Sequence, residues 1–148
     1  MVGINGRQFL PRLSIQRMLF QMFDVLDCQF IRPLFRTCTI YDLALISLIA
    51  GFGEEALFRG VVQGVIDRWL GVGYGLATAS ILFGLLHLIT PTYALLAALC
   101  GLYFGALLMC SGNLFVAIVP HALYDFIALL YVVRGPATPE LAEPALDL

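Results

Sequence analysis

The sequence predicts an all-α fold: a polytopic membrane helix bundle of about four transmembrane helices, preceded by an N-terminal amphipathic helix. Three observations carry that expectation. Hydrophobic residues make up 61% of the 148 and the mean hydropathy is +0.94. Charged residues are 12%, about half the share of a soluble globular domain. The apolar segments are separated by short clusters of turn residues, which close one helix and start its antiparallel neighbour. The length suits a single domain with a handful of spans of about 20 residues each.

Residues 1–39 form a basic segment, expected to be cytoplasmic or interfacial. Five of the eight arginines (Arg7, Arg12, Arg17, Arg32, Arg36) fall here, and lysine is absent from the chain. No clean apolar run with a small-residue cleavage site stands among them, so the segment does not read as a cleaved signal. Between Leu13 and Phe30, Ser14, Arg17, Gln21 and Asp24 recur at helical spacing among Leu, Met, Phe and Val, the pattern of an amphipathic helix lying on lipid. Pro33 interrupts it, and the chain enters the apolar core through Thr39 and Asp42.

Residues 40–134 read as a four-helix core with spans Ile40–Leu70, Tyr74–Ile89, Thr92–Ser111 and Leu114–Val133. The breaks are Gly71/Gly73, Thr90-Pro91 and Ser111-Gly112-Asn113. The first span is longer than a bilayer needs and the second is short, which predicts tilt or protrusion. Arginine placement, five before the first span plus Arg134 against Arg68 alone in the first opposite loop, predicts an integral multi-pass protein with both termini cytoplasmic. The tail 135–148, with Pro136, Pro139, Pro144 and three acids, lacks a helix-length apolar face and is expected to be disordered.

Several functions are disfavoured at once. The cysteines (Cys28, Cys38, Cys100, Cys110) form no Cys-x-x-Cys pair or finger spacing and read as buried, reduced thiols. Gly71-Val72-Gly73-Tyr74-Gly75 lacks the lysine and preceding strand of a phosphate loop. No internal repeat is present, and no nucleic-acid partner is expected.

The chemistry sits in the apolar segments. Both histidines of the chain, His87 and His121, lie there with Glu54, Glu55, Arg59 and Asp125. Each ionisable group in hydrocarbon costs roughly 2.5–3.5 kcal/mol on insertion scales, so six of them call for a use. Glu55 and Arg59, four apart on a helix, are placed to pair. Glu54, one step around, is then a carboxylate without a local partner, suited to a general base. The blander reading is an ionic cluster that locks helices together. His87 alone would read as a structural histidine, but His121 and Asp125, four apart, bring a second imidazole and a carboxylate to one helix face. Two imidazoles and carboxylates from three spans can hold a water molecule or a divalent metal.

These residues have a counterpart. Glu54-Glu55-Ala-Leu-Phe-Arg59, Phe83-Gly-Leu-Leu-His87 and His121-Ala-Leu-Tyr-Asp125 together resemble the three-motif signature of the CPBP (Abi) family of intramembrane proteases, which includes CAAX prenyl proteases and bacteriocin-processing or immunity proteins. The resemblance implies a glutamate-dependent intramembrane endopeptidase, often labelled a metalloprotease, acting on a membrane-anchored protein or peptide, prenylated CAAX-type chains included. It implies Glu54 as general base, with His87 holding the attacking water, His121 stabilising the oxyanion, and Glu55 and Arg59 in support. Many family members carry Asn where this chain has Asp125, and an ionised carboxylate cannot donate to an oxyanion. Asp125 must then be protonated, orient His121, or bind a metal. The resemblance commits to no cofactor, and zinc stays possible. If a metal is used, zinc on Glu54, His87, His121 and Asp125 is the expected set.

The chain is also shorter than the family's longer members, which raises the expectation that a second copy completes it as a homo-oligomer. Two other functions stay open on the sequence: an inactive immunity or scaffold homologue, and a proton or cation conduit. A conduit predicts polar residues strung through the whole depth of the bundle, whereas this reading finds them clustered.

Overall fold

The computed structural model describes residues 31–135. The expected amphipathic helix at 13–30 and the tail beyond 135 lie outside the described residues, as does Cys28. A short helix α1 (Arg32–Phe35) starts on Pro33. Arg32 donates from Nε to the Val132 carbonyl at 3.0 Å and from Nη2 to the Gly135 carbonyl at 2.7 Å. Arg134 donates to the Cys38 carbonyl at 2.9 Å. These bonds tie the start of the bundle to the end of its last helix.

Helix α2 (Ile40–Glu55) opens on a capping box. Thr39 Oγ1 accepts from the Asp42 N–H at 3.2 Å while Asp42 accepts from the Thr39 N–H at 2.8 Å, satisfying two otherwise orphaned donors. The helical path then continues as a π-helical segment, Ala56–Gln63, and as α3 (Gly64–Leu70). The sequence predicted one α-helix over Ile40–Leu70. The stretch is helical throughout, but its middle widens to π geometry, a rare form that concentrates at functional sites. No propensity in Ala-Leu-Phe-Arg-Gly-Val-Val-Gln marks this, and the segment buries Phe58, Arg59 and Gln63.

Gly71 turns the chain at φ 100°, a conformation that only glycine adopts without strain. Helix α4 (Val72–Leu86) follows, ending three residues before the expected Ile89, with His87 as its C-cap. Thr90 Oγ1 caps α5 (Pro91–Ser111) by accepting from the Tyr93 N–H, with Pro91 in the first turn, where its missing N–H costs nothing. Asn113 Oδ1 accepts from the Phe115 N–H at the start of α6 (Phe115–Arg134). Helix α4 packs along α5, α2 along α6, and the π segment with α3 against α4.

The bundle buries charged and polar groups among apolar ones and is apolar outside. Glu55, Arg59, Gln63, Ser47, Ser80 and His121 are buried, whereas Leu45, Ile49, Phe52, Ile81, Leu85, Leu95 and Leu99 are exposed. A water-soluble domain buries such apolar side chains and solvates such charges. Reversal of that order is what a hydrocarbon solvent selects, because interior-facing charges then pair with each other. Helices α5 and α6 are long and apolar enough to cross a membrane, and α4 is a shorter apolar helix. The thiols do not all match expectation: Cys100 and Cys38 are half-buried, but Cys110 is exposed on the apolar exterior.

Helices α2 and α6 approach closely at Gly51, where an added Cβ would lie 2.9 Å from the Ala122 backbone nitrogen. Gly51→Ala must therefore push apart the two helices that carry Glu54 and His121. The expected loss is about 1–3 kcal/mol, read as a lower unfolding temperature in micelles. An unchanged unfolding temperature would mean that the helices do not meet here.

Candidate active site

Two imidazoles from different helices converge on one Glu54 oxygen, and a second carboxylate stands beside one of them. Glu54 Oε2 lies 3.7 Å from His87 Nε2 and 3.8 Å from His121 Nε2. Asp125 Oδ2 lies 3.5 Å from His121 Nε2. Glu54 comes from the last turn of α2, His87 from the C-cap of α4, and His121 and Asp125 from successive turns of α6. Separations of 3.5–3.8 Å are too long for direct hydrogen bonds and suit one small hydrogen-bonding molecule held between the groups.

Each imidazole is held from behind. His87 Nδ1 lies 2.7 Å from the Phe83 carbonyl. A carbonyl only accepts, so Nδ1 carries the proton and Nε2 presents its lone pair toward Glu54. His121 Nδ1 lies 2.7 Å from Glu55 Oε1, to which it donates. Phe83 stands between the rings, 4.4 Å from His87 and 5.8 Å from His121 by centroid, and Phe104 stacks on His121 at 4.8 Å.

Glu55 and Arg59 make the i,i+4 contact the spacing suggests, Arg59 Nη1 to Glu55 Oε1 at 3.1 Å. The sequence reading stopped at that pair. In the fold the same Glu55 oxygen also takes His121 Nδ1, so the chain of contacts runs Arg59, Glu55, His121. Orientation of His121 thus falls chiefly to Glu55, a relation across 66 residues that local spacing does not encode. Arg59 donates to the Gly101 carbonyl at 3.0 Å, and its Cζ lies 4.6 Å from the Phe83 ring centroid, 5.6 Å from Phe104 and 5.8 Å from Phe58. Arg59 is 1% exposed and Glu55 0%. This paired cation lies buried among three rings and comes from the π segment.

Two cavities meet at these groups. A small one, about 60 Å³, is bounded by Phe83, Cys100, Phe104 and His121, and a larger one, about 230 Å³, by Ile46, Ala50, Glu54, Ala128, Leu129 and Val132. His87, Tyr93, Tyr124 and Asp125 border both. Tyr93 and Tyr124 were not singled out from sequence. Tyrosine at a membrane helix end is common, and only the fold brings these two to the junction. Among the described residues, no group of three or more His, Cys, Asp and Glu side chains is arranged to hold a metal ion. The zinc alternative on Glu54, His87, His121 and Asp125 therefore lacks support from donor geometry.

Comparison with known proteins locates the chain. The family described as Rce1-like, Type II CAAX prenyl endopeptidase, matches residues 36–127, more than half of the chain and a stretch that holds all six candidate residues. The chain belongs to this Rce1-like family. It is a family of membrane endopeptidases of the CAAX-processing type, in keeping with two apolar helices long enough to span a bilayer. The chain is also 31% identical over 97 residues to an uncharacterized protein, YpbD, of Bacillus subtilis (strain 168), a match covering 64% of this chain and 47% of that protein. The chain therefore spans about half the length of that curated relative. No solved structure matches it.

Proposed function

We propose that this Rce1-like chain is an intramembrane endopeptidase that cleaves a membrane-anchored, prenylated CAAX-type protein or peptide using water activated by Glu54. The observation that carries the reading is the convergence of His87 and His121 on Glu54 Oε2, a buried oxygen with no hydrogen-bond partner among the described residues, at the end of an apolar cavity. In this mechanism a water donates one hydrogen to Glu54 and the other to His87 Nε2, leaving a lone pair free to attack the scissile carbonyl carbon. Glu54 takes the proton as the C–O bond forms, and the carbonyl oxygen becomes an oxyanion. His121 donates to it from Nε2, while its Nδ1–H stays on Glu55. A protonated Asp125 adds a second donor. Glu54 then passes its proton to the leaving nitrogen as the C–N bond breaks. Preorganised donors of this kind are worth about 2.7–4 kcal/mol each in acyl-transfer enzymes.

The larger cavity between α2 and α6, walled by Ile46, Ala50, Ala128, Leu129 and Val132, fits an aliphatic chain or an extended apolar peptide. The apolar exterior is covered by lipid. If both termini are cytoplasmic, the end of this cavity lined by Ile31 and Val132 faces the cytoplasmic side. The test is cleavage of a prenylated CAAX peptide by the chain in lipid vesicles, read as release of its C-terminal fragment. Absence of cleavage for prenylated and unprenylated peptides alike overturns the activity, and equal rates for the two overturn the substrate class.

Asp125 separates two mechanisms. With hydrogen bonding as the source of oxyanion stabilisation, Asp125→Asn supplies a permanent N–H donor, and the rate is expected to stay equal or rise. Strong chelators are expected to leave it unchanged. Loss of activity in Asp125→Asn, together with chelator inhibition reversed by Zn²⁺, contradicts the glutamate-and-hydrogen-bond mechanism and restores the metal one.

A further inference from the structure

The buried side-chain nitrogens and oxygens without a hydrogen-bond partner among the described residues all come from one helical stretch: Glu54 Oε2, Glu55 Oε2, both amide atoms of Gln63, Asp67 Oδ1, and Arg59 Nη1, whose 3.1 Å contact with Glu55 is an ion pair without hydrogen-bond alignment. Glu55, Arg59, Gln63 and Asp67 are spaced by four, so they stack into one column along the interior. At about 1.5 Å per residue the column is about 18 Å long. It leads from the site to the Gly71 turn, where Asp67 is half-buried. The apolar cavity borders the other half of the same stretch, at Ile46, Ser47, Ala50 and Glu54.

Glycines on the facing helices let the side chains of this column approach their backbones. Gly101 and Gly105, also four apart, lie opposite Arg59 and Gln63: the Gly101 carbonyl accepts from Arg59 at 3.0 Å, and a Cβ on Gly105 would fall 2.7 Å from Gln63 Oε1. On α4, a Cβ on Gly75 would overlap Asp67 Oδ1. Gln63 is 1% exposed, yet its amide offers donors and acceptors with no hydrogen-bond partner among the described residues. A cation satisfies only Oε1 and an anion only Nε2, whereas water satisfies both.

We propose that this column holds a file of hydrogen-bonded water, entered at Asp67 beside the Gly71 turn, which delivers the reactant water to Glu54 from the side opposite the apolar cavity. The delivery role rests on the hydrolase reading above; the hydration does not. Each peptide bond cleaved consumes one water, and a substrate filling the apolar cavity closes that entrance. A separate polar route removes the conflict. The fixed guanidinium of Arg59 in its path repels cations, so the file carries neutral water rather than ions.

Gln63 is the only glutamine followed by glycine, so its amide can be assigned in the intact chain by pairwise isotope labelling. Water-edited solid-state NMR in lipid vesicles is expected to show magnetisation reaching this amide as fast as it reaches exposed side chains. Slow transfer, matching dry buried groups, overturns the proposal whether or not the chain cleaves anything. Gln63→Leu, checked for unchanged helicity and unfolding temperature, is expected to lower kcat about tenfold, the size of one lost hydrogen bond, with KM unchanged. A wet Gln63 amide with an unchanged kcat in Gln63→Leu overturns the delivery role. An intact chain with no turnover on any peptide counts against the hydrolase reading, and the NMR result then decides the water file alone.

Discussion

Glu54→Gln is expected to lower hydrolysis by about 10²–10⁴-fold, the usual contribution of a positioned general base, while leaving folded yield and unfolding temperature as they are. The two halves of this expectation have separate grounds. Glutamine keeps the shape of the side chain but cannot take a proton from water, so the step that makes the nucleophile is lost. Stability is spared because Glu54 is 35% exposed and lies 3.7 Å and 3.8 Å from the two imidazoles, beyond direct hydrogen bonding. Its carboxylate holds no other side chain in place. Cleavage rate and unfolding temperature measured on the same preparation check both halves. A Glu54→Gln chain that cleaves at an undiminished rate would move the base elsewhere.

The largest loss of stability is expected for Arg59→Ala. Its guanidinium and the Glu55 carboxylate are buried together at 3.1 Å, and removing one partner strands the other charge in the interior at a cost of about 3–5 kcal/mol. That is a large part of the roughly 5–15 kcal/mol by which a folded domain is stable. The substitution also removes the donor to the Gly101 carbonyl and the cation packed on Phe58, Phe83 and Phe104. His121 then depends on a Glu55 that has lost its anchor. Arg59→Lys is not expected to rescue, because a point charge cannot bridge Glu55 and Gly101 as a planar fork does. The check is folded yield in membranes, where Arg59→Ala should fall well below Glu54→Gln. Equal yields for the two variants would mean that catalytic and supporting roles have been exchanged.

The helices and their turns were legible because each break carries residues with a local reason: Gly71 and Gly112 at positive φ, and Thr90 and Thr39 as caps. The gathering of Glu54, His87, His121 and Asp125 could be argued from cost, since polar groups in hydrocarbon seek one another. What sequence could not supply were the features set by packing between distant segments. The π turn at Ala56–Gln63 carries Arg59, which lies among three rings drawn from the π segment, α4 and α5. The Glu55 to His121 hydrogen bond joins α2 to α6, and nothing within either helix announces it. The continuation of the polar face to Gln63 and Asp67 was written in the spacing, every fourth residue after Glu55.

The central claim, that this chain hydrolyses peptide bonds within the membrane through Glu54, is tested most directly by peptide profiling of membranes incubated in heavy-oxygen water. Membranes carrying the intact chain are compared with membranes carrying Glu54→Gln. The account predicts new C-termini bearing one heavy oxygen, derived from membrane-anchored proteins and found only with the intact chain. Identical sets of labelled C-termini in the two membranes would contradict it.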